Sequence, residues 1–304
     1  MAAHGAESSK GLTAAIGAYL IWGLVLPVYL KALSHIPALE IVANRVIWAV
    51  PFVAGLLIWF GLFSNVRTFL TPRYLAMALL TATIISVNWS IYVYAILVNK
   101  AVEAALGYYI NPLVSILLGA VFLGERPTRL QGAAIALASV GVVVMAVMAG
   151  GVPIISLGLA LTFGSYGLLR KMMPFGAAEG FFLETLILIL PACTLLVWYK
   201  SHGGLHFGDN VQDTLLLIGS GPVTAIPLIL FASGARQLKL STIGILQYMV
   251  PTLLVLTAVF VFGEHFGFWQ LIAFCFIWTA LALYSWSMFD SRKTTRLAVE
   301  NNDG

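Results

Sequence analysis

Two stretches of this chain repeat each other at one fixed spacing, and few folds allow that. Gly107 to Pro127 reads GYYINPLVSILLGAVFLGERP, an apolar run with a proline in its middle and Gly124-Glu125 near its end. A second run opens at Gln247-Tyr248-Met249-Val250-Pro251 and closes at Gly263-Glu264. Tyr109 and Tyr248, Pro112 and Pro251, Gly124 and Gly263, Glu125 and Glu264, and Gln131 and Gln270 are all separated by one and the same interval. Proline and glycine recur in any membrane protein, but a shared offset does not follow from residue type. The sequence therefore reads as an internal duplication, which governs every later expectation about the fold.

The material duplicated is apolar. Of the 304 residues, 61% are hydrophobic and 9% charged. The mean hydropathy is +0.97. Soluble domains average about 45–50% apolar and about 25% charged, so this surplus does not fit a soluble core. A polytopic membrane protein follows. The net charge of +4 is spread over short loops, with no basic stripe for a phosphate backbone, so no nucleic-acid partner is expected. Cys193 and Cys275 each sit inside an apolar run without a C-x-x-C partner, which argues against a disulfide or a metal centre. The opening MAAHGAESSK is short and polar, and the apolar run behind it has no convincing cleavage site, so that run is expected to be a retained helix.

A hydrocarbon layer of about 30 Å takes ~20 residues of helix. Ten runs meet or approach that length: 12–33, 38–62, 73–98, 102–123, 128–149, 153–172, 180–200, 212–235, 241–262 and 267–289. Placing the N-terminus inside puts Lys10, Arg67, Arg73, Arg126, Arg129, Arg170, Lys171, Arg236, Lys239, Arg292, Lys293 and Arg296 on the inner side. Only Lys31, Lys100 and Lys200 then fall outside, and both termini are expected to be cytoplasmic. The interval between the two copies crosses five helices, an odd number, so the second copy enters the membrane upside down. The expected fold class is all-α integral membrane: ten transmembrane helices as an inverted repeat of two five-helix halves, 12–149 and 150–289. Polar tails lie at 1–11 and 290–304. Such repeats suit alternating access around a site near the midplane. Weaker echoes agree: Gly17, Leu20 and Gly23 with Gly158, Leu161 and Gly164, and Pro51 with Pro191.

Pro112 and Pro251 lie deep in their runs, where each removes a backbone donor and frees the carbonyl of Tyr108 or Gln247. Such kinks are tolerated only inside protein or beside a water-filled cavity. Polar and aromatic residues at depth are candidates for lining that cavity. They are Trp22, Asn88, Trp89, Tyr92, Tyr108, Asn111, Tyr166, Gln247 and Tyr248, with Tyr109 nearby. The blander alternative is helix-to-helix hydrogen bonding and packing. As a pocket they suit an amphiphilic or aromatic small molecule.

Charges within the spans are costly and so are functional candidates. Arg45, Glu103 and Glu184 are those charges, expected to act in gating or ion coupling or, alternatively, as static pairs. Arg45 and Glu103 enter from the same face. Glu184 enters from the other and is expected to meet an inner-loop base such as Arg170 or Arg236. No metalloprotease, Walker or nucleophile-elbow motif occurs, and His4, His35, His202, His206 and His265 lie at or beyond helix ends. No enzyme activity, metal or cofactor is expected. The alternatives to a carrier are a membrane-embedded sensor or enzyme, or a channel.

At these residues the sequence resembles the EamA-type family of the drug/metabolite transporter superfamily, in its chloramphenicol-sensitivity (RarD-like) permease branch. The segments that carry the resemblance are YLIWGLVLPVYLK (19–31), PALEIVANRVIW (37–48), NWSIYVYA (88–95), VEAALGYYINPL (102–113), FLGER (122–126), YGLLRK (166–171), LSTIGILQYMVPT (240–252) and FGEHF (262–266). They cover nearly the whole chain. Where that branch often shows His-Arg in its second helix, this chain has Asn44-Arg45. The resemblance implies ten helices in a bacterial inner membrane and movement of small organic molecules.

Overall fold

The computed structural model describes residues 8–97, 101–148, 154–261 and 268–300. Glu103 and Gln270 belong to described helices, but their side chains lie outside the described set, as do Gly263 and Glu264 altogether. All regular structure among the described residues is helical. Helix suits a chain this apolar because it satisfies every backbone group within one segment, away from water.

The first span is α1 (Ser9–Leu20), a π turn (Ile21–Val25) and α2 (Leu26–Ala32). Then follow α3 (Ala38–Trp59), a short α4 (Phe63–Thr68), α5 (Pro72–Leu97), α6 (Ala101–Leu123) and α7 (Arg129–Met148). The second part holds α8 (Ile154–Met172), α9 (Ala177–Ser201), α10 (Val211–Gln237), α11 (Leu240–Gln247), α12 (Met249–Phe260) and α13 (Phe268–Glu300). Among the described residues, seven spans are long and apolar enough to cross a membrane, and between 28% and 50% of each is buried within the protein. The remainder is an apolar exterior: Trp59, Val121, Ile154, Leu190, Phe260 and Trp286 are all more than 60% exposed. An exterior of that kind matches lipid rather than water. The protein is an integral membrane protein.

Helix ends follow local chemistry. The Ser8 hydroxyl accepts from Gly11 N–H, and the Asn210 side chain accepts from Asp213 N–H, each capping the helix that follows. Gly124 ends α6 in the left-handed region (φ 64°), which turns Glu125 back so that its N–H reaches the Gly119 carbonyl at 3.1 Å.

Three details depart from the sequence reading. The ninth apolar run is broken at Tyr248 between α11 and α12, whereas α6 runs unbroken through Pro112. The first span carries a π turn beside Trp22 and Gly23. The last helix continues through Glu300, past the apolar run, as its Lys, Arg, Ala, Leu and Glu content favours.

Packing depends on close approach. A Cβ on Gly221 would sit 2.4 Å from the Trp48 backbone, so α10 lies directly against α3. A Cβ on Gly244 would meet the Pro112 carbonyl at 2.6 Å, so α11 crosses α6 at the proline. The other main pairings are α1 with α10, α3 with α9, α5 with α8, α6 with α8, and α7 with α13.

Candidate functional site

The residues singled out in the sequence fall into three neighbourhoods. The first gathers around Arg45. Its position is about 10 Å along α3 at 1.5 Å per residue. Its Nε donates to the Thr224 hydroxyl on α10 at 2.7 Å. That hydroxyl donates its own proton to the Ser220 carbonyl at 2.7 Å, which leaves its lone pairs for Arg45. The guanidinium lies over the Trp89 ring, 5.6 Å from the centroid. Tyr92 and Tyr108 stand within electrostatic reach of the same charge, and their rings meet edge to face at 6.3 Å. Tyr108 keeps 38% of its surface exposed. Trp89 also lines a cavity of about 160 Å³ between α3, α5 and α9, with Ser86, Ser90 and Pro191 among its walls.

The second neighbourhood centres on Glu184, 1% exposed on α9. Arg170 Nη1 approaches its carboxylate at 3.3 Å, and the Tyr166 hydroxyl donates to it at 3.0 Å. Thr81 on α5 faces the same carboxylate. Arg170 Nη2 donates to the Ala177 carbonyl at 2.5 Å. The inner-loop partner expected for Glu184 is thus Arg170; Arg236 instead donates to the Phe175 carbonyl. Tyr166 stacks on Phe231 and meets Phe163, and Trp22 packs on the same two rings. Trp22 and Tyr166 therefore belong to one aromatic cluster, and Tyr248 packs in a different one. The expected Arg45–Glu103 pair lies outside the described residues.

The third neighbourhood follows α6 and α11 toward their crossing. Asn111 and Gln247 are buried, and a side-chain oxygen of each lacks a hydrogen-bond partner, as does the Tyr248 hydroxyl. Tyr248 packs in a cluster with Tyr109, Ile245 and Phe274. Asn88 does something different. Its amide donates to the Leu159 carbonyl at 3.0 Å and to Thr162 Oγ1 at 2.8 Å, tying α5 to α8.

Several residues with evident roles were not among the site candidates. Glu125 accepts from Leu240 N–H at 2.6 Å, from Ser241 N–H at 2.9 Å and from the Ser241 hydroxyl at 2.8 Å. It caps α11 from the other half of the chain. Its place in the repeated Gly-Glu was the available signal. At another site, the fully buried Glu40 accepts from His206 N–H, Phe207 N–H and His206 Nδ1. His35 bonds Asp213 beside it at 3.0 Å. These contacts pin the 202–210 loop against the start of α3. Among the described residues, no group of three or more His, Cys, Asp or Glu could hold a metal.

Comparison with known proteins agrees along the chain. The profile of the EamA-like transporter family matches residues 9–147. An uncharacterized transporter of Vibrio cholerae is 44% identical over 284 residues, covering 92% of this chain and 93% of that protein. Protein RarD of Escherichia coli is 40% identical over 293 residues, covering 95% and 99%. A chloramphenicol-sensitive protein RarD of Pseudomonas aeruginosa is 34% identical, covering 92% and 94%. One solved crystal structure superposes at TM-score 0.73 over 93% of this chain and 99% of that one, at 18% identity, a likeness of fold.

Proposed function

The chain belongs to the EamA-like transporter family and is a membrane transporter, and on that premise we propose that it is a secondary carrier of small organic molecules working by alternating access. In this reading ten spans form two inverted halves, 12–149 and 150–289, with both termini on the cytoplasmic face of a bacterial inner membrane.

The observation that carries the reading is a set of matched contacts. A Cβ on Gly17 would touch Leu230, and one on Gly158 would touch Ile91. Ile91 and Leu230 stand at the same interval as Pro112 and Pro251. A Cβ on Gly23 would touch Leu253, and one on Gly164 would touch Val114, and Val114 and Leu253 are again separated by that interval. Gly17 and Gly158, like Gly23 and Gly164, stand slightly further apart, a drift that the connecting loops absorb. Helix pairings exchange in the same way: α1 with α10 corresponds to α8 with α5. Contacts that repeat under exchange of halves support two structurally equivalent units, the basis of a rocking carrier.

Sidedness has support of its own. The segments assigned inside by their basic residues meet one another: Lys171 Nζ donates to the Leu238 carbonyl and lies 4.0 Å from Glu125, and Ser8 bonds Gln237. His35, Glu40, His206 and Asp213 bring together segments assigned outside.

The substrate cleft is proposed along Trp22, Asn88, Trp89, Tyr92, Tyr108, Asn111, Tyr166, Gln247 and Tyr248, with Glu184 and Glu103 in gating or coupling and hinges at Pro112 and Pro251. The test is transport by purified protein in liposomes, with and without an imposed pH gradient. The name of one relative, a chloramphenicol-sensitive protein, makes chloramphenicol a first probe. Saturable flux is expected. Flux that rises linearly without saturation would mark a channel, and absence of flux for a broad panel of metabolites would overturn the carrier reading.

A further inference from the structure

We propose that Arg45 is the anion-recognising group of the carrier, and that the substrate is an organic acid whose carboxylate docks on its guanidinium while a flat apolar part lies against Trp89, Tyr92 and Tyr108. This rests on the carrier reading and adds a substrate class to it.

A guanidinium within a membrane span normally finds a carboxylate, because an unpaired charge there is expensive. Arg170 follows that rule with Glu184. Arg45 does not: among the described residues no carboxylate comes within ion-pair distance of it. Its partners are neutral, a threonine hydroxyl and the face of an indole. Only Nε is used. The Nη hydrogens find no acceptor among the described residues, and neither Nη atom is sealed from contact. A planar fork with free parallel N–H donors matches a carboxylate in two-point contact. The guanidinium stays charged throughout the physiological pH range, so its demand for an anion is permanent.

The surroundings specify the rest of the ligand. Thr224 is locked as an acceptor by its bond to Ser220, which fixes the plane of the fork. Trp89 covers one side of it. Tyr92 and Tyr108 supply further ring faces, and their hydroxyls have no hydrogen-bond partner among the described residues. Neither ring is closed off, since Tyr92 is part-exposed and Tyr108 more so. A cationic ligand would meet the like charge of Arg45 directly. An aromatic or otherwise flat monocarboxylate satisfies both the fork and the rings.

The test compares ligands of one shape and different charge. Purified protein is titrated with 3-phenylpropionate and several other aromatic carboxylates, each against its neutral amide and matching amine, and binding is followed by thermal shift. At least one carboxylate is expected to bind ten-fold or more tightly than its amide, with the amine weakest. In Arg45→Gln that preference should collapse toward one, and Arg45→Lys should restore part of it. Carboxylates that never exceed their amides in the unaltered protein overturn the proposal without recourse to a variant. A preference that survives Arg45→Gln overturns it too. Displacement of the carboxylate by phosphatidylglycerol vesicles would assign the fork to a lipid headgroup and overturn the substrate class. Saturable flux of neutral chloramphenicol unaffected by Arg45→Gln would sink this inference and leave the carrier standing. Absence of flux for every compound would remove the carrier reading itself.

Discussion

Arg45 and Arg170 both lie within the helical bundle, and the protein treats them in opposite ways. Arg170 is 2% exposed and is enclosed by Glu184, the Ala177 carbonyl and the edge of Phe175. Arg45 is part-exposed and is held by a hydroxyl and a ring. The proposed repeat sharpens the contrast, because Arg45 and Glu184 are separated by the interval that separates Pro112 from Pro251. Two halves so related would set a cation in one and an anion in the other at matching places. The anion is neutralised inside the protein, whereas the cation faces only neutral partners among the described residues. A closed pair consolidates a bundle, and an open charge is available for a ligand.

The comparison breaks most readily at the closed pair. Arg170→Ala strands a buried carboxylate, and loss of one member of a buried pair costs about 3–5 kcal/mol. Thermal unfolding in detergent should register that loss, whereas Arg45→Gln should shift stability by less than about 1 kcal/mol, as for a change that leaves no buried charge behind. Comparable destabilisation by both would erase the distinction. The double change Arg170→Met with Glu184→Leu should recover most of the loss, because replacing both partners by apolar groups is often neutral.

Gly180→Ala attacks the same pair indirectly. A Cβ there would lie 2.0 Å from Arg170 Nη1 and 2.7 Å from Phe175, so the guanidinium must leave its seat. Overpacking of this kind costs about 1–3 kcal/mol. Unfolding should register it in full in the Gly180→Ala protein and only in part when Arg170 is already Ala, because the contact with Phe175 then remains. A third change tests whether the halves are held by backbone capping as well as by charge. Glu125→Ala removes the acceptor for Leu240 N–H and Ser241 N–H, a cap that joins segments far apart in sequence. A loss of about 1–2 kcal/mol is expected. Amide exchange at Leu240 and Ser241 should accelerate well before exchange across the rest of α11 does.

Much of this architecture was legible in the sequence, and what was missed has a common character. The apolar spans and the all-helical build follow from composition, and the shared interval behind the proposed duplication follows from spacing. The reach of Arg170 to Glu184 followed from which face each helix enters. What spacing could not supply was contact between distant segments. Glu125 was visible as a repeated acid, but nothing local tells that its carboxylate caps α11. Pro112 and Pro251 look alike in sequence, yet α6 passes its proline unbroken while the ninth apolar run breaks at Tyr248. The neighbours differ: α6 lies along α8, whereas α11 is fixed at its start by Glu125. Trp22 and Tyr166 pack on the same two rings, but depth inferred from the sequence did not separate that aromatic cluster at Phe231 from the ring faces beside Arg45.

The smallest expected effect bears most directly on what an open charge is for. Thr224→Val keeps the shape at that position and removes the acceptor for Arg45 Nε. The guanidinium is not stranded, because Trp89 still covers it and its outer donors still face accessible space. Stability should therefore change by no more than about 1 kcal/mol, the typical net worth of one hydrogen bond. The fork loses its fixed plane, however, and a two-point contact depends on that plane. Affinity for an aromatic carboxylate should fall about three- to ten-fold while affinity for its amide stays level, a loss of about 0.7–1.4 kcal/mol on the binding scale. If both ligands weaken equally, Thr224 shapes the cavity and does not orient the charge. If the carboxylate alone weakens, the hydroxyl of α10 sets the direction in which α3 offers its cation.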